Sequence, residues 1–412
     1  MRILHFADAH IDMVTQGRHD PATGLAVRTL DFLKSLDTIV DTAIAEKVDL
    51  VIFAGDAYKD RTPVPTFQRE WGRRIARLAQ AKVPTLLLVG NHDLSPASGR
   101  AHALQEFETL GVPFVRVAGK PCFISSEELG LPLQIIALPW ITRSSMMASQ
   151  EMSAGEVGEV YTALEGRLSE LVSLWLDKAD PDLPVLMTAH ASVEGAVYGG
   201  ERSVMLGNDL VLSGSLVRDR RLSYVALGHI HKAQDVNKGS QPPVVYPGSI
   251  ERVDFGEAAD DKFFVIAHIE AGKDTRVEWR PLNGRRFIDR FVRLNDPDTI
   301  NETLIGALPL ADELKDAVVR LVVEYPFQWE GMIDETALRK HCEECLEFHF
   351  IRRPQRETRL RLSGDRDIAS LTPLELLDEY WRSLNTKPEE ASELQILAGA
   401  VISVSLEGGG KN

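Results

Sequence analysis

Five short fragments of this 412-residue chain hold the side chains best suited to chemistry, and each follows a run of β-forming apolar residues. Asp8 and His10 come after Ile3–Phe6, and Gly55-Asp56 after Leu50–Ala54. Gly90-Asn91-His92-Asp93 follows Thr85–Val89, His190 follows Val185–Thr188, and Gly228-His229-Ile230-His231 follows Tyr224–Leu227. Open α/β sheets build their sites just past the carboxyl ends of strands. In Asp-x-His and His-x-His the ligands are two residues apart, so they share a face on a strand or converge on one ion from a tight loop. The set mixes carboxylates, an amide oxygen and imidazoles, with no thiolate. That mixture suits manganese, iron or zinc in five- or six-coordinate sites and argues against a structural zinc. Two ions sharing a carboxylate can clamp both the attacking and the leaving oxygen of a phosphoryl displacement. Each fragment alone has a plainer reading, as a surface turn or a hydrogen-bonded core histidine. Their joint placement at equivalent strand ends favours a two-metal centre for phosphoester hydrolysis.

In order and spacing this set resembles the calcineurin-like metallophosphoesterase superfamily. The segment Tyr246–Arg252, followed by Asp254-Phe255-Gly256-Glu257, further resembles SbcD-type DNA repair nucleases, which work with an SbcC-type ATPase carrying a long coiled coil. The resemblance is strong to about residue 270 and weaker beyond it. It implies two divalent ions, Mn²⁺ being the expected metal. Asp8, His10, Asp56 and His231 would hold one ion; Asp56, Asn91, His190 and His229 would hold the other, with Asp56 bridging. His92 would face the scissile phosphate, stabilising charge or protonating the leaving oxygen, and Asp93 would orient that fragment. The implied activity is 3′-to-5′ exonuclease action on duplex ends with endonuclease action on single strands and hairpins. One position departs from the pattern: Lys59 stands where some relatives carry a histidine. A lysine can contact phosphate as a point charge but is no neutral proton shuttle; its plainer reading is a solvated loop residue.

The elements that must position these residues alternate strand and helix. Helical apolar spacing runs over Leu25–Lys47, over Thr66–Lys82 with Phe67, Trp71, Ile75 and Leu78 in one stripe, and over Val157–Asp177. Such a βαβ series gives helix-covered sheets, and the resemblance implies a four-layer α/β/β/α sandwich. It also implies a homodimer formed through the Thr66–Lys82 and Arg100–Leu110 regions, whereas the Trp71 stripe taken alone reads as core. The expected division is a nuclease domain over residues 1–279, a small α/β capping domain over 280–358 and a helical partner-binding region over 359–412. The capping domain should run β-α-β-α-β, over Phe287–Leu294, Thr299–Ala307, Val318–Tyr325, Asp334–Glu344 and Cys345–Ile351. In the tail, Thr372-Pro373-Leu374-Glu375 is a capping box opening an amphipathic helix with Leu374, Leu377, Tyr380 and Trp381. A second short helix is expected after Thr386. Their apolar residues, with Tyr380 and Trp381 as an exposed aromatic pair, suit docking on the base of the ATPase coiled coil or back on this protein's own surface.

Composition bounds the remaining possibilities. A hydrophobic fraction of 44% and a charged fraction of 26% are those of an ordinary globular protein. No apolar stretch reaches membrane-span length and the amino terminus leads into a strand, so a cytoplasmic location with no membrane contact is expected. Cys122, Cys342 and Cys345 are too few for a disulfide framework, and one Cys-x-x-Cys lacks the second ligand pair that zinc needs. A net charge of −15 is unusual for a protein that tracks DNA, although bound metals or a basic partner can supply positive charge. Basic runs at Arg218–Arg221 and Arg285-Arg286 read as solvated surface. The glycine-rich loop Glu194–Arg202 follows His190 and reads equally as a DNA-steering loop, through Tyr198 and Arg202, or as a connection. No Walker motif occurs, so ATP chemistry would belong to the partner. Two other functions stay open: a stand-alone phosphatase or small-molecule phosphodiesterase, and a DNA-end tether in which hydrolysis is secondary.

Overall fold

Continuous apolar runs, buried on both faces, build the central strands of this protein, seen in a computed structural model that describes residues 1–13, 17–95, 100–141, 157–199, 210–355, 372–383 and 386–408. The strands are β1 (Arg2–Phe6), β2 (Leu50–Phe53), β3 (Thr85–Leu88), β4 (Val115–Ala118), β5 (Cys122–Ile124), β6 (Gln134–Leu138), β7 (Val185–His190), β8 (Ser192–Val193) and β9 (Val211–Leu212). They continue with β10 (Leu222–Gly228), β11 (Gln234–Asp235), β12 (Val244–Tyr246), β13 (Lys262–His268), β14 (Arg276–Leu282), β15 (Phe287–Arg293), β16 (Val318–Pro326) and β17 (Glu347–Gln355). Three long helices, α1 (Val27–Ala45), α2 (Pro65–Gln80) and α3 (Val157–Lys178), occupy the stretches where helical spacing was expected.

Two six-stranded sheets carry the site, in the orders β14-β13-β1-β2-β3-β4 and β11-β12-β10-β7-β6-β5. Four adjacent strands of each are parallel: β1 to β4 in the first, and β12, β10, β7 and β6 in the second. Successive residues along these strands face alternately the other sheet and the covering helices. Ile3, Leu50, Ile52, Leu86 and Leu88 meet Ile135, Ala137, Leu186, Tyr224 and Ala226 in one core between the sheets. The intervening residues Leu4, Phe6, Val51, Phe53 and Leu87 pack under Phe32, Leu36, Val40, Trp71 and Ile75 of α1 and α2. On the far side Ile136, Met187, Val225 and Leu227 pack under Leu164, Leu168 and Val172 of α3. These three cores are the four-layer α/β/β/α sandwich expected from the sequence. Trp71 is fully buried in the core under α1 and α2, so the α2 stripe is core.

By compactness the chain divides into one unit of Met1–Arg290, Leu308–Leu321 and Arg339–Phe350 and another of Phe291–Ala307, Val322–Leu338 and Ile351–Asn412. The first sheet continues through β14 to Leu282, where Leu282 pairs with Lys262. Beyond it the order β15, helix Ile300–Ala307, β16, helix Glu335–His341 and β17 matches the expected β-α-β-α-β series. In the tail the capping box is formed. The Thr372 N–H donates to Glu375 Oε2 at 2.7 Å, and the Glu375 N–H donates to Thr372 Oγ1 at 3.4 Å. It opens a helix over Pro373–Ser383; the next, Pro388–Gly408, is far longer than the short helix expected. Trp381 is buried while Tyr380 is exposed, so the two do not form the surface aromatic pair expected of them; consecutive helical residues point about 100° apart and cannot share one face.

Candidate metal centre

Strand register delivers the ligand fragments to one edge. Phe6 pairs with Phe53, Leu87 with Val117, and Gly228 with His190, so the parallel strands end level with one another. There the two sheets meet: His190 Nδ1 lies 2.7 Å from the Ala54 carbonyl, and the His229 N–H donates to both carboxylate oxygens of Asp8 at 3.0 Å. Turning the chain this sharply requires unusual backbone. Asp8, His10, Asp56 and His229 all have positive φ, at 51°, 38°, 66° and 99°. Non-glycine residues adopt such conformations at a cost of about 1–3 kcal/mol each, and they concentrate at functional sites. Gly55 (φ 101°) and Gly90 are needed for close approach: a Cβ would stand 2.3 Å from His190 Nδ1 at the first and 2.1 Å from Asp56 Oδ1 at the second.

Seven donors converge. Oxygens or nitrogens of Asp8, His10 and His231 lie within 4.8 Å of one another, as do those of Asp8, Asp56 and His190. Asp56 Oδ2 stands between the halves, 3.3 Å from His190 Nε2 and 3.9 Å from His10 Nε2. Asn91 Oδ1 completes the second half, 3.0 Å from His190 Nε2 and 3.1 Å from His229 Nδ1. Asp8, His10, Asp56, His190 and His229 are buried, with Asn91 and His231 half-buried. The residues fit divalent cations on their own chemistry. His10, His190 and His231 each turn Nδ1 to an acceptor: the Tyr58 carbonyl at 3.1 Å, the Ala54 carbonyl at 2.7 Å, and Glu257 Oε1 at 2.7 Å. Those contacts place the proton on Nδ1 and leave Nε2 a lone pair. The His10 and His231 Nε2 atoms then face each other at 3.1 Å, and His190 Nε2 faces two oxygens. With the histidines neutral these atoms are acceptors facing one another, and a cation, a proton or a metal ion, satisfies them.

Electrostatics agree. Burial pushes the Asp8 carboxyl up to about 6. Burial also opposes charge on Asp56, yet neighbouring histidines, His190 foremost, outweigh it and hold that carboxyl well below its ordinary range. For His190 burial works against protonation, but the Asp56 carboxylate prevails and carries it up to about 9. Positive charge is thus favoured where the two halves meet.

Asp93 lies fully buried behind the ligands. Its carboxylate accepts the N–H groups of Gly90, Asp56 and Ala57, each at 2.9 Å, and so ties the loop after β2 to the loop after β3. Burial pushes its carboxyl up to about 7. His92 stands beside the ligands, its ring 5.3 Å from that of His10, with Nδ1 2.8 Å from the Lys59 carbonyl. Its backbone N–H donates to Asp56 Oδ1 at 2.8 Å. Lys59 has an exposed side chain, and its N–H and that of Asp60 are held by Asp12.

No described contact brings Tyr198 to the donors. Tyr198 is partly buried against the core under α3, and Arg202 lies outside the described residues. Leu374 and Leu377 are half-buried in the tail helix. Of the basic runs, Arg221 is paired with Asp177 and Asp219, and Arg285 with Asp31. Three residues with no assigned role also reach the site. Trp140 packs its ring 4.9 Å from His229 and 6.1 Å from His190. It lies two residues past β6, the same strand-end position as the ligands, which was its available signal. Glu257 and Lys262 stand behind His231, in and just after a segment whose pattern was evident and whose chemistry was not.

Fold and donor set together define a metal-dependent phosphoesterase. The family model for calcineurin-like phosphoesterases matches residues 1–233, and the chain belongs to that family. A relative from Rhodobacter capsulatus, named as the SbcD component of nuclease SbcCD, is 29% identical over 257 residues, covering 58% of this chain and 60% of that protein. The chain thus spans three fifths of that relative's length. The protein of the same name from Escherichia coli K12 is 25% identical over 287 residues, 68% of this chain and 67% of the relative. A DNA double-strand break repair protein, Mre11, from Archaeoglobus fulgidus is 22% identical over 334 residues, 78% of this chain and 68% of the relative. Among the described residues, no helix is long and apolar enough to cross a membrane.

Proposed function

We propose that this chain is a Mn²⁺-dependent DNA nuclease, processing duplex ends from the 3′ side and nicking single strands or hairpins, in company with a coiled-coil ATPase. The observation that carries the reading is the convergence of seven donors from five strand ends, with His92 beside them. The names of the relatives support the choice of substrate. Asp8, His10, Asp56 and His231 would hold one divalent ion and Asp56, Asn91, His190 and His229 the other, and the ions would supply Lewis acidity and an activated water for phosphoester hydrolysis. The protein's own groups do the rest. His92 donates its Nδ1–H to the Lys59 carbonyl, and its protonated form would present an Nε2–H to the phosphate or the leaving oxygen. Asp93 sets the spacing of the loops that carry Asp56 and Asn91, and Trp140 fixes the His229 ring while keeping water from its outer face. Leu374, Leu377 and Tyr380 in the tail are the proposed contacts with the ATPase, and a homodimer is the proposed assembly.

A second reading is favoured by charge. The net charge is −15, and Arg221 and Arg285 are already paired with carboxylates, as suits a small phosphodiester better than a long polyanion. One experiment separates the two: purified protein with Mn²⁺ on end-labelled duplex and hairpin DNA, beside His92→Ala and a small chromogenic phosphodiester. DNA degradation that disappears in the variant is expected. Hydrolysis of the small ester with DNA intact at high protein would replace the nuclease by the stand-alone phosphodiesterase.

A further inference from the structure

The three ligand histidines that donate through Nδ1 are not supported alike. His10 and His190 turn Nδ1 to neutral backbone carbonyls, of Tyr58 and Ala54. His231 turns Nδ1 to a carboxylate, Glu257 Oε1, at 2.7 Å. That carboxylate is itself buried and fully engaged: Oε2 accepts from Lys262 Nζ at 2.6 Å, Ser249 Oγ at 3.1 Å and the Val253 N–H at 3.0 Å. Lys262 Nζ also donates to Ser249 Oγ at 2.8 Å. The side chains of Glu257 and Lys262 are 3% and 1% exposed, so both charges are withdrawn from water.

Stability does not explain such a pair. Desolvating two charges cancels much of their attraction, and an apolar pair of similar volume holds a fold as well or better. A consequence for His231 does explain it. Lys262 Nζ gives Glu257 Oε2 a positive partner at 2.6 Å, and Glu257 Oε1, 2.7 Å from His231 Nδ1, holds the His231 proton on that nitrogen. The lone pair therefore stays on Nε2, which faces His10 Nε2 at 3.1 Å. A carboxylate behind an imidazole also raises its basicity as a ligand, which a neutral carbonyl does less strongly.

We propose that Glu257, charged by Lys262, is a positioning residue for one half of the metal centre: it orients His231 and strengthens its bond to the ion that Asp8 and His10 also hold. This rests on the two-metal reading of the site. It makes the two halves unequal and gives the Asp254–Glu257 segment a role at a distance from the reacting phosphate.

Binding of Mn²⁺ to the full-length protein is the test, followed by the electron paramagnetic resonance signal of free Mn²⁺ together with thermal unfolding of the metal-free form. Glu257→Gln with Lys262→Met removes both charges and keeps an oxygen facing His231. Glu257→Asp keeps the charge beside Lys262 and withdraws it from His231 by one methylene. Glu251→Gln is the control, since Glu251 is a buried carboxylate held by the Arg252 and Arg285 N–H groups and touches no ligand. Wild type should bind two ions. Each Glu257 variant should lose about 10- to 100-fold in affinity for one of them, with the metal-free unfolding midpoint near wild type, and the control should bind as wild type. Two ions bound with unchanged affinity in the variants would overturn the role of Glu257 and leave the metal centre standing. Affinity lost only in step with unfolding of the metal-free variants would overturn it too, by making Glu257 structural. A wild-type protein that binds no Mn²⁺ would instead remove the two-metal reading itself.

Discussion

His5 offers a quantitative check on how the two sheets are joined beneath the metal centre. It lies on β1 three residues before Asp8, fully buried between the sheets, with Nδ1 2.9 Å from the Tyr224 hydroxyl and Nε2 3.1 Å from the Leu227 carbonyl. Both partners belong to β10, the strand that delivers His229 and His231. The geometry assigns the proton to Nε2, which donates to the carbonyl, while Nδ1 accepts from the hydroxyl. Replacement by phenylalanine fills the space and strands both partners without water. An unsatisfied buried group costs about 1–3 kcal/mol, so with two stranded His5→Phe should lose about 2–6 kcal/mol near pH 7.5.

Acid should then narrow that gap. Burial lowers the His5 pKa from 6.5 to about 3, against the pull of its bond to the Leu227 carbonyl. Between those values the unfolded chain binds a proton that the folded chain refuses. Stability from this group is therefore whole above about pH 6.5 and falls as the pH falls toward 3. At 1.36 kcal/mol per unit the full range is worth about 5 kcal/mol, and the span from pH 6.5 to 5 about 2 kcal/mol. The variant has no such group, so its deficit against wild type should shrink by about 2 kcal/mol between pH 7.5 and 5. Urea denaturation of both proteins in chelator at the two pH values measures this. The ligand histidines titrate in both proteins and cancel in the difference. A deficit that stays constant or widens on acidification would refute the buried, neutral His5 and the join it makes between β1 and β10.

Three further outcomes are expected at the site. Gly90→Ala places a methyl group against Asp56 Oδ1 and the Asp56 nitrogen, so phosphodiesterase activity should fall at least about 100-fold, as displacements near 1 Å do; Gly72→Ala in α2, which meets nothing within 4 Å, should retain activity. Asp93→Asn keeps the shape but not the capacity to accept three N–H groups. Urea denaturation without metal should show a loss of about 1–3 kcal/mol, and Mn²⁺ affinity should fall as the Asp56 loop loosens. Mn²⁺ at about 100 times its dissociation constant should stabilise wild type by about 2.7 kcal/mol per site, and Asp56→Asn should lose most of that gain in thermal unfolding.

Much of the donor set was legible because each ligand follows a strand, and strand ends are set by local pattern. The apolar runs before Asp8, Asp56, Asn91, His190 and His229 are short and bounded, so the position of each ligand could be read without knowing which strands pair. The helices α1 and α2 were legible for a similar reason, since Phe32, Leu36, Val40 and Phe67, Trp71, Ile75 repeat at the helical period. What stayed hidden is what depends on distant pairing. The bond from Glu257 to His231 spans 26 residues, and those from His5 to Tyr224 and Leu227 span 219 and 222. Only sheet order brings them together. The buried charge of Lys262 was hidden by the ordinary rule that lysine marks a surface. Tail exposure was misjudged for the same reason: apolar spacing marks a face to be covered, and it does not say whether Trp381 is covered by its own chain. The positive φ values at Asp8, His10, Asp56 and His229 belong to this second kind. No propensity favours them, so the surrounding hydrogen bonds must impose them. The His229 N–H reaching Asp8 and the Asp93 carboxylate gripping Asp56 are therefore part of what makes the site, as much as the ligands themselves.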